Sequence, residues 1–248
     1  MEEITFTKES SSFLLIEKES FEGVRKVGTA VSEDFAHIFG KPLTVISSAS
    51  DAAALTNAAA GTTLVVAATL GKSQLLTSLI NTRKFDDSVF YIKEDSTSGG
   101  TTNRLLREVY SFSIISNPFS ELPGIKNILL IAGSDKRGTI YGMFHLSELL
   151  GVSPWTWWSE VHPVQKNIFT ITSKDNSVSK EPSVELRGFF INDEWPAFGQ
   201  FAFEKFGGFN AKLYEQVFLL LLRLKGNYLW PAMWTSSFPL DGPGLADE

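Results

Sequence analysis

Cysteine is absent from the 248 residues, which excludes a disulfide framework, a thiolate metal site and a cysteine nucleophile, and leaves the redox compartment open. Histidine is scarce: His37, His145 and His162 stand far apart, without ligand spacing to one another, so structural roles are expected for them and no metal site is assigned. Basic charge is not in excess. The formal net charge is −6, and Lys and Arg are scattered without a stripe, so the electrostatic footprint of a nucleic-acid binder is missing. Long hydrophobic runs are missing too: Val217 to Leu222, with Leu224 beyond, is far too short to cross a bilayer. The opening MEEITFTKESSSFLLIEKE begins with two acids and carries a four-residue apolar run, unlike a secretory leader, and no Asn-x-Ser/Thr sequon occurs. The compartment is therefore undetermined.

What is present is a globular composition: 43% apolar residues, enough for a substantial core, and an aromatic skew of 20 Phe and 6 Trp. Trp155, Trp157 and Trp158 form one cluster, and Trp195, Trp230 and Trp234 fall in the last quarter. Tryptophan is seldom buried completely and often lines binding surfaces.

Hydrophobic periodicity organises the first part of the chain. Ser12–Lys18 is expected as a strand, and Gly23–Phe39 as a helix because Val24, Val27, Val31, Phe35 and Ile38 recur at helical spacing before Gly40 and Pro42. Leu43–Ser47 follows as a strand, then an alanine-rich helix after Ser50 and Asp51, a continuous apolar strand at Thr62–Ala68, and a helix at Lys72–Lys84. Strands are also expected at Val89–Lys93 and Asn127–Ala132, and a helix at Thr139–Leu150, with Gly151, Pro154 and the WTWW cluster closing the unit. Residues 95–104, DSTSGGTTNR, read as an exposed loop. Alternating helices and fully apolar strands indicate an α/β layer. The polar segment Thr172–Pro182 is the candidate boundary between a domain at 1–175 and a second at 183–248.

Two glycine-rich loops invite a phosphate-binding reading and fail it. Gly71-Lys-Ser73 has Val66 where the P-loop glycine belongs, and Gly133-Ser-Asp-Lys-Arg-Gly138 is followed by Thr139 where the lysine belongs. Lys136 and Arg137 remain open to two readings, an anion contact at a helix start or a solvated turn.

Beyond the boundary the chain predicts one β-α-β step: a strand at Val184–Ile191, a helix at Leu213–Lys225 that is apolar on nearly all sides, and a strand at Asn227–Met233. Such a helix predicts exposed apolar surface and poor solubility for the isolated chain. If the step opens a (β/α)8 barrel, Asn192-Asp193-Glu194 end the first strand and Trp230–Trp234 end the second, on the face where barrel enzymes carry their sites. Asp193 and Glu194 are adjacent and point to opposite sides of an extended backbone, so they are not the facing carboxylate pair of glycoside hydrolysis.

The motifs LRGFFINDEWPAFG, EKFGGFNAKLYEQVF, LRLKGNYLWPAMW and LADE, with ATLGKS at 68–73 and IAGSDKRGTIYGMFHLSELLGVSPWTWW at 131–158, resemble consecutive landmarks of glycoside hydrolase family 115, the xylan α-1,2-glucuronidases. Residues 95–126 fit the family pattern poorly. The resemblance implies an N-terminal α/β domain followed by the first β/α units of an incomplete (β/α)8 TIM barrel. It also implies inverting removal of (4-O-methyl)glucuronic acid from glucuronoxylan or its oligosaccharides. By position it places Asp193 and Trp234 near the uronic-acid pocket, with Asn192, Glu194 and Trp230 as further candidates and Glu194 expected to brace the strand end. No cofactor or metal is assigned, and the charge distribution and short apolar runs noted above leave no nucleic-acid or membrane partner expected; full-length family members are expected as homo-oligomers, and the substrate class suits an extracellular setting. The acid and base of the family are expected beyond LADE, so no catalytic residue is assigned and the chain is expected to be an N-terminal fragment, inactive alone. The alternative is a non-catalytic carbohydrate-binding or scaffold module.

Overall fold

The computed structural model describes residues 2–48, 62–95, 101–120 and 125–241. The chain divides into two compact units, Met1–Ser153 with His162–Pro182, and Pro154–Val161 with Ser183–Glu248.

The first unit is built on a six-stranded sheet. Its strands are β2 (Ser12–Leu15), β3 (Thr44–Ile46), β4 (Thr63–Thr69), β7 (Tyr110–Ser116), β8 (Asn127–Gly133) and β10 (Ser177–Val178), in the order β10-β7-β8-β4-β2-β3. The pairs β3-β2, β2-β4 and β4-β8 are parallel, whereas β7 and β10 add an antiparallel edge. Every residue of β4 is buried, which is what the unbroken apolar run TLVVAA requires of a strand covered on both faces. On one face, Leu64, Val66, Leu130 and Ala132 pack against Leu75, Leu76 and Leu79 of α2 (Gln74–Asn81). Helices α1 (Glu22–Phe39) and α3 (Lys136–Leu150) come close to the strands at glycines. A Cβ at Gly28 would lie 2.5 Å from Ile16, and one at Gly142 would lie 2.6 Å from Ile131.

The helix ends explain themselves. Gly40 and Gly151 stop α1 and α3 in the left-handed conformation, the usual glycine C-cap. Ser73 caps α2 by accepting from the Leu76 amide, and the Glu17 carboxylate, just after β2, accepts from the Ser73 hydroxyl and, at 3.2 Å, from the Leu75 amide. Helix α3 starts three residues earlier than the apolar period predicts, because Asp135 accepts from the Gly138 amide at 2.8 Å and so draws Lys136 and Arg137 into the first turn. Arg137 lies 3.8 Å from the Glu108 carboxylate. Both loops with phosphate-binding resemblance thus present their helix starts to carboxylates of the chain itself.

Several expectations change. Residues 101–104 are not loop: β6 (Thr101–Leu105) pairs antiparallel with β5 (Tyr91–Asp95), preceded by a 3₁₀ turn at Asp87–Phe90. Its polarity hid it, because a hairpin exposed on both faces lacks apolar alternation. The pair β1 (Glu3–Thr7) and β9 (Ile168–Thr172) was also not legible as a sheet. The alanine-rich helix expected after Ser50 and the LADE motif lie outside the described residues.

The polar segment 172–182 runs along the sheet edge. Thr172 and Asp175 form a capping box, β10 pairs with β7, and Glu181 is gripped by Arg104 at 2.8 and 2.9 Å and by the Arg107 amide at 2.8 Å. The Arg104 fork, then the Arg107 amide, hold the Glu181 carboxyl down at about 2 against an ordinary 4.5. A depressed carboxyl stabilises the fold above its unfolded value and loses that contribution as pH falls. The grip is therefore expected to be complete above about pH 4.5 and to release toward pH 2. A carboxyl ¹³C titration of Glu181 checks this, with loss of β5–β6 amide dispersion over the same window; Glu181→Gln should disperse the hairpin less at every pH.

The second unit is smaller. Strands β11 (Gly188–Phe190) and β12 (Tyr228–Trp230) are parallel, in register Gly188 to Tyr228 and Phe190 to Trp230. Between them run α4 (Phe198–Phe206) and α5 (Ala211–Arg223), and α6 (Phe238–Asp241) follows β12. The strands are shorter than sequence predicts because their flanks bond to side chains: the Arg187 amide donates to Asn227 Oδ1 at 2.9 Å, and Arg187 itself reaches the carbonyls of Val184 and Lys225. Asn210 caps α5, and Leu213, Tyr214, Val217, Leu220 and Leu221 form its buried stripe. Lys212 and Glu215 lie exposed on the same helix, so α5 is more amphipathic than its sequence suggests. The sequence reading closes the first unit on WTWW, but Pro154–Val161 cluster with this second unit. Here Trp158 finds Phe198 and Phe201 at 6.1 and 5.8 Å and donates from Nε1 to the Gln216 carbonyl at 3.2 Å, while Trp157 stands 5.6 Å from Phe206. Bulky indoles follow aromatic partners rather than chain order.

Candidate functional site

The C-terminal ends of β11 and β12 lie side by side, so the segment INDEWP and the segment PAMWTSS leave the strand pair at the same edge. The ladder continues one step past β11, where the Ile191 amide donates to the Trp230 carbonyl at 2.9 Å. After that the two backbones are joined through Asp193.

Asp193 is 1% exposed. Its Oδ2 accepts from the Thr235 amide at 2.7 Å and hydroxyl at 3.0 Å, and from the Ser236 amide at 2.8 Å and hydroxyl at 2.9 Å; Oδ1 accepts from the Trp234 amide at 3.3 Å. Burial by itself pushes this carboxyl up, but the Thr235 and Ser236 amides and hydroxyls outweigh it and hold the group well below the usual carboxylate range. Asp193 is thus a fixed anion that ties the two strand ends together. Sequence reasoning had no signal for the partnership with Thr235 and Ser236, which lie more than forty positions downstream.

The other candidates divide around this tie. Glu194 is exposed, and its carbonyl accepts from the Gly199 amide at 3.1 Å as the chain turns into α4; the side chain that braces the strand end is that of Asp193. Asn192 is half-buried. Trp230 is 50% exposed and meets Phe190 edge-on at 5.7 Å, both on the side of the strand pair opposite Phe189 and Leu229, which pack into the α5 core. Trp234 is 74% exposed. Trp195, not singled out as a ligand contact by sequence, is also exposed, stands 5.6 Å from Phe203 and follows Asp193 by two residues, with a cis bond to Pro196. Its indole leaves no space over Gly199, where a Cβ would lie 2.7 Å from Nε1.

The arrangement offers aromatic faces, one exposed carboxylate at Glu194 and a saturated one at Asp193. Aromatic faces beside a carboxylate suit the C–H face and hydroxyls of a sugar. The pair cannot act as acid and base across a glycosidic bond, since one member is buried and fully engaged. Among the described residues no group of three or more His, Asp or Glu is placed to hold a metal ion, and no helix is long and apolar enough to cross a membrane.

Residues 179–248 match the family description "Glycosyl hydrolase family 115". Among solved structures, the chain is similar to "a novel family GH115 4-O-Methyl-alpha-glucuronidase, BtGH115A, with specificity for decorated arabinogalactans", with TM-score 0.68 and 27% identity, covering 93% of this chain and 26% of that one. The chain therefore spans about a quarter of that structure's length. A second structure, CpGH84D, gives TM-score 0.41 and 10% identity over 76% of this chain and 23% of its own. No curated protein matches the sequence. The mixed α/β architecture with several sheets matches a family 115 structure, and the two family 115 findings together support the relationship that the motifs suggested.

Proposed function

We propose that the chain is part of a family 115 glycoside hydrolase, in which 1–175 form an N-terminal α/β domain and 183–248 supply the first two strands of a (β/α)8 barrel. In this reading the edge carrying Asp193, Trp230 and Trp234 is one wall of a pocket for (4-O-methyl)glucuronic acid, with Asn192 and Glu194 at its rim. The observation that carries the proposal is the junction of the two strand ends: within the segment matched by the family, parallel strands deliver a buried, tied carboxylate and exposed indoles to one edge. Sites in such barrels sit at that end of the strands.

Inverting hydrolysis needs two carboxyl groups facing each other across the bond, roughly 6.5–9.5 Å apart. With Asp193 engaged by five donors, Glu194 is the one acid of the INDEWP and PAMWTSS segments left open at this edge, so the chain is expected to bind the sugar without hydrolysing it. The polysaccharide is glucuronoxylan on the motif resemblance. A decorated arabinogalactan is the second reading, favoured by the specificity stated for the similar glucuronidase.

All six tryptophans lie in the second unit, so intrinsic emission reports on it alone. Uronate-substituted oligosaccharides of either polysaccharide are expected to change that emission saturably, unsubstituted ones to leave it unchanged, and neither to release uronic acid. Turnover by residues 1–248, or an equal response to unsubstituted chains, would count against the proposal; the stronger of the two substituted ligands decides between the polysaccharides.

A further inference from the structure

We propose, resting on the reading that this edge receives a uronate-bearing sugar, that Asp193 is a positioning residue: its carboxylate fixes residues 234–236, presents the Trp234 indole, and does not meet the sugar. An ionised carboxylate is an acceptor only, with about four lone-pair sites on its two oxygens. Five donors already converge on it, four of them on Oδ2 within 3.0 Å. Oδ2 is thereby saturated, and Oδ1, which takes the Trp234 amide at 3.3 Å, is closed off by burial, so a sugar hydroxyl could reach Asp193 only by opening this turn. The side chain is also sealed, at 1% exposure, while the residue it holds by the main chain, Trp234, is 74% exposed.

Charge argues the same way. A uronate is itself an acceptor-only anion, and Asp193 has no proton to offer it, so direct contact would set two carboxylates against each other without a donor between them. The turn 234–236, by contrast, has its amides fixed and its indole free. A ring held in place before the ligand arrives spares the ordering cost of binding, which is the general advantage of a preorganised contact. Asp193 therefore acts on recognition through the turn.

The test is a double-mutant cycle on the whole 248-residue chain, read by tryptophan emission with a 4-O-methylglucuronic-acid-substituted xylo-oligosaccharide, together with amide hydrogen exchange at Thr235 and Ser236. Trp234→Ala is expected to weaken binding about tenfold, the scale of one aromatic contact. Asp193→Asn turns an amide nitrogen or a single acceptor toward the same donors; it is expected to weaken binding to a similar degree and to lower protection of the Thr235 and Ser236 amides at least tenfold. The double variant should bind no worse than the weaker single variant, because both act through one ring.

Additive losses, about a hundredfold in the double variant, would overturn the proposal, as would weakened binding by Asp193→Asn with the protection of Thr235 and Ser236 unchanged. Ser236→Ala covers the case in which Asp193→Asn does not fold: it removes one donor and leaves the carboxylate. Positioning predicts weaker binding for it, whereas binding that is unchanged or tighter, as a newly freed lone pair for the sugar would give, overturns the proposal. If the unaltered chain gives no response to the oligosaccharide while Asp193→Asn still unprotects the turn, the sugar reading has failed and the positioning role for it falls too. A clear response with additive losses would instead fail positioning alone.

Discussion

Gly188→Ala is expected to prevent β11 from pairing with β12. An added Cβ would lie 1.5 Å from the Tyr228 carbonyl oxygen and 2.4 Å from its carbon, and these are backbone atoms of the paired strand, with no flexible side chain able to move aside. The strands would have to part by more than an ångström, across the register that carries Phe190 to Trp230 and the following Asp193 tie. Overpacking of this kind costs typically about 1–3 kcal/mol and more where nothing can yield; against backbone the expected loss is at the upper end, about 3 kcal/mol or beyond. Urea unfolding followed by tryptophan emission measures it directly, since every tryptophan of the chain belongs to this unit. An unfolding midpoint unchanged from the parent would mean that the strand pair is not the frame of the site.

Tyr214→Ala is expected to be comparably severe for a different reason. Tyr214 is fully buried on α5, 4.8 Å from Phe238 edge-on and 6.4 and 6.3 Å from Phe209 and Phe218. Among the described residues it is, with Val217, a buried anchor of a cluster that also holds Phe189 and Leu229 from the strands. Removing an aromatic ring from such a place costs about 3–5 kcal/mol, from lost burial and from the cavity left behind. Because Phe238 opens α6 just after the Asp193-bound turn, loss of amide protection should spread from α5 to residues 234–236. The same emission-monitored unfolding gives the stability change, and hydrogen exchange gives its extent. Protection confined to normal values at 234–236 would show that the core and the turn are independent.

The parts of this molecule that were legible from sequence are those in which one residue pattern meets one solvent boundary. The run TLVVAA announces a strand covered on both faces, and the spacing of Val24, Val27, Val31, Phe35 and Ile38 announces α1. Elements hidden from sequence are those whose environment is uniform or whose partner is distant. Strand β6 is polar on both faces, and β1 pairs across more than 160 positions with β9. At the candidate site, the strand tips at Asn192–Glu194 and Trp230–Trp234 were legible from composition and the β-α-β step. The division of labour between the two acids was not, because it depends on Thr235 and Ser236 reaching Asp193, and nothing local to DEWP encodes that reach. The helix starts mark an intermediate case: Asp135 stands where a cap should, yet the apolar period began counting three residues later.

In the first unit the parallel strands run β3-β2-β4-β8, so the direction of winding reverses between β2 and β4, the place where open α/β sheets ordinarily admit a ligand. Glu17 ends up there, with its carboxylate on the first turn of α2. A tethered acid of this kind acts at an effective concentration in the millimolar range or higher, and a dissolved phosphate must outcompete a group that never diffuses away. The helix start is in this sense already occupied by its own chain. An anion approaching the first turn of α2 meets that tethered carboxylate first, so the Leu75 amide and the Ser73 hydroxyl are already engaged before any dissolved group arrives.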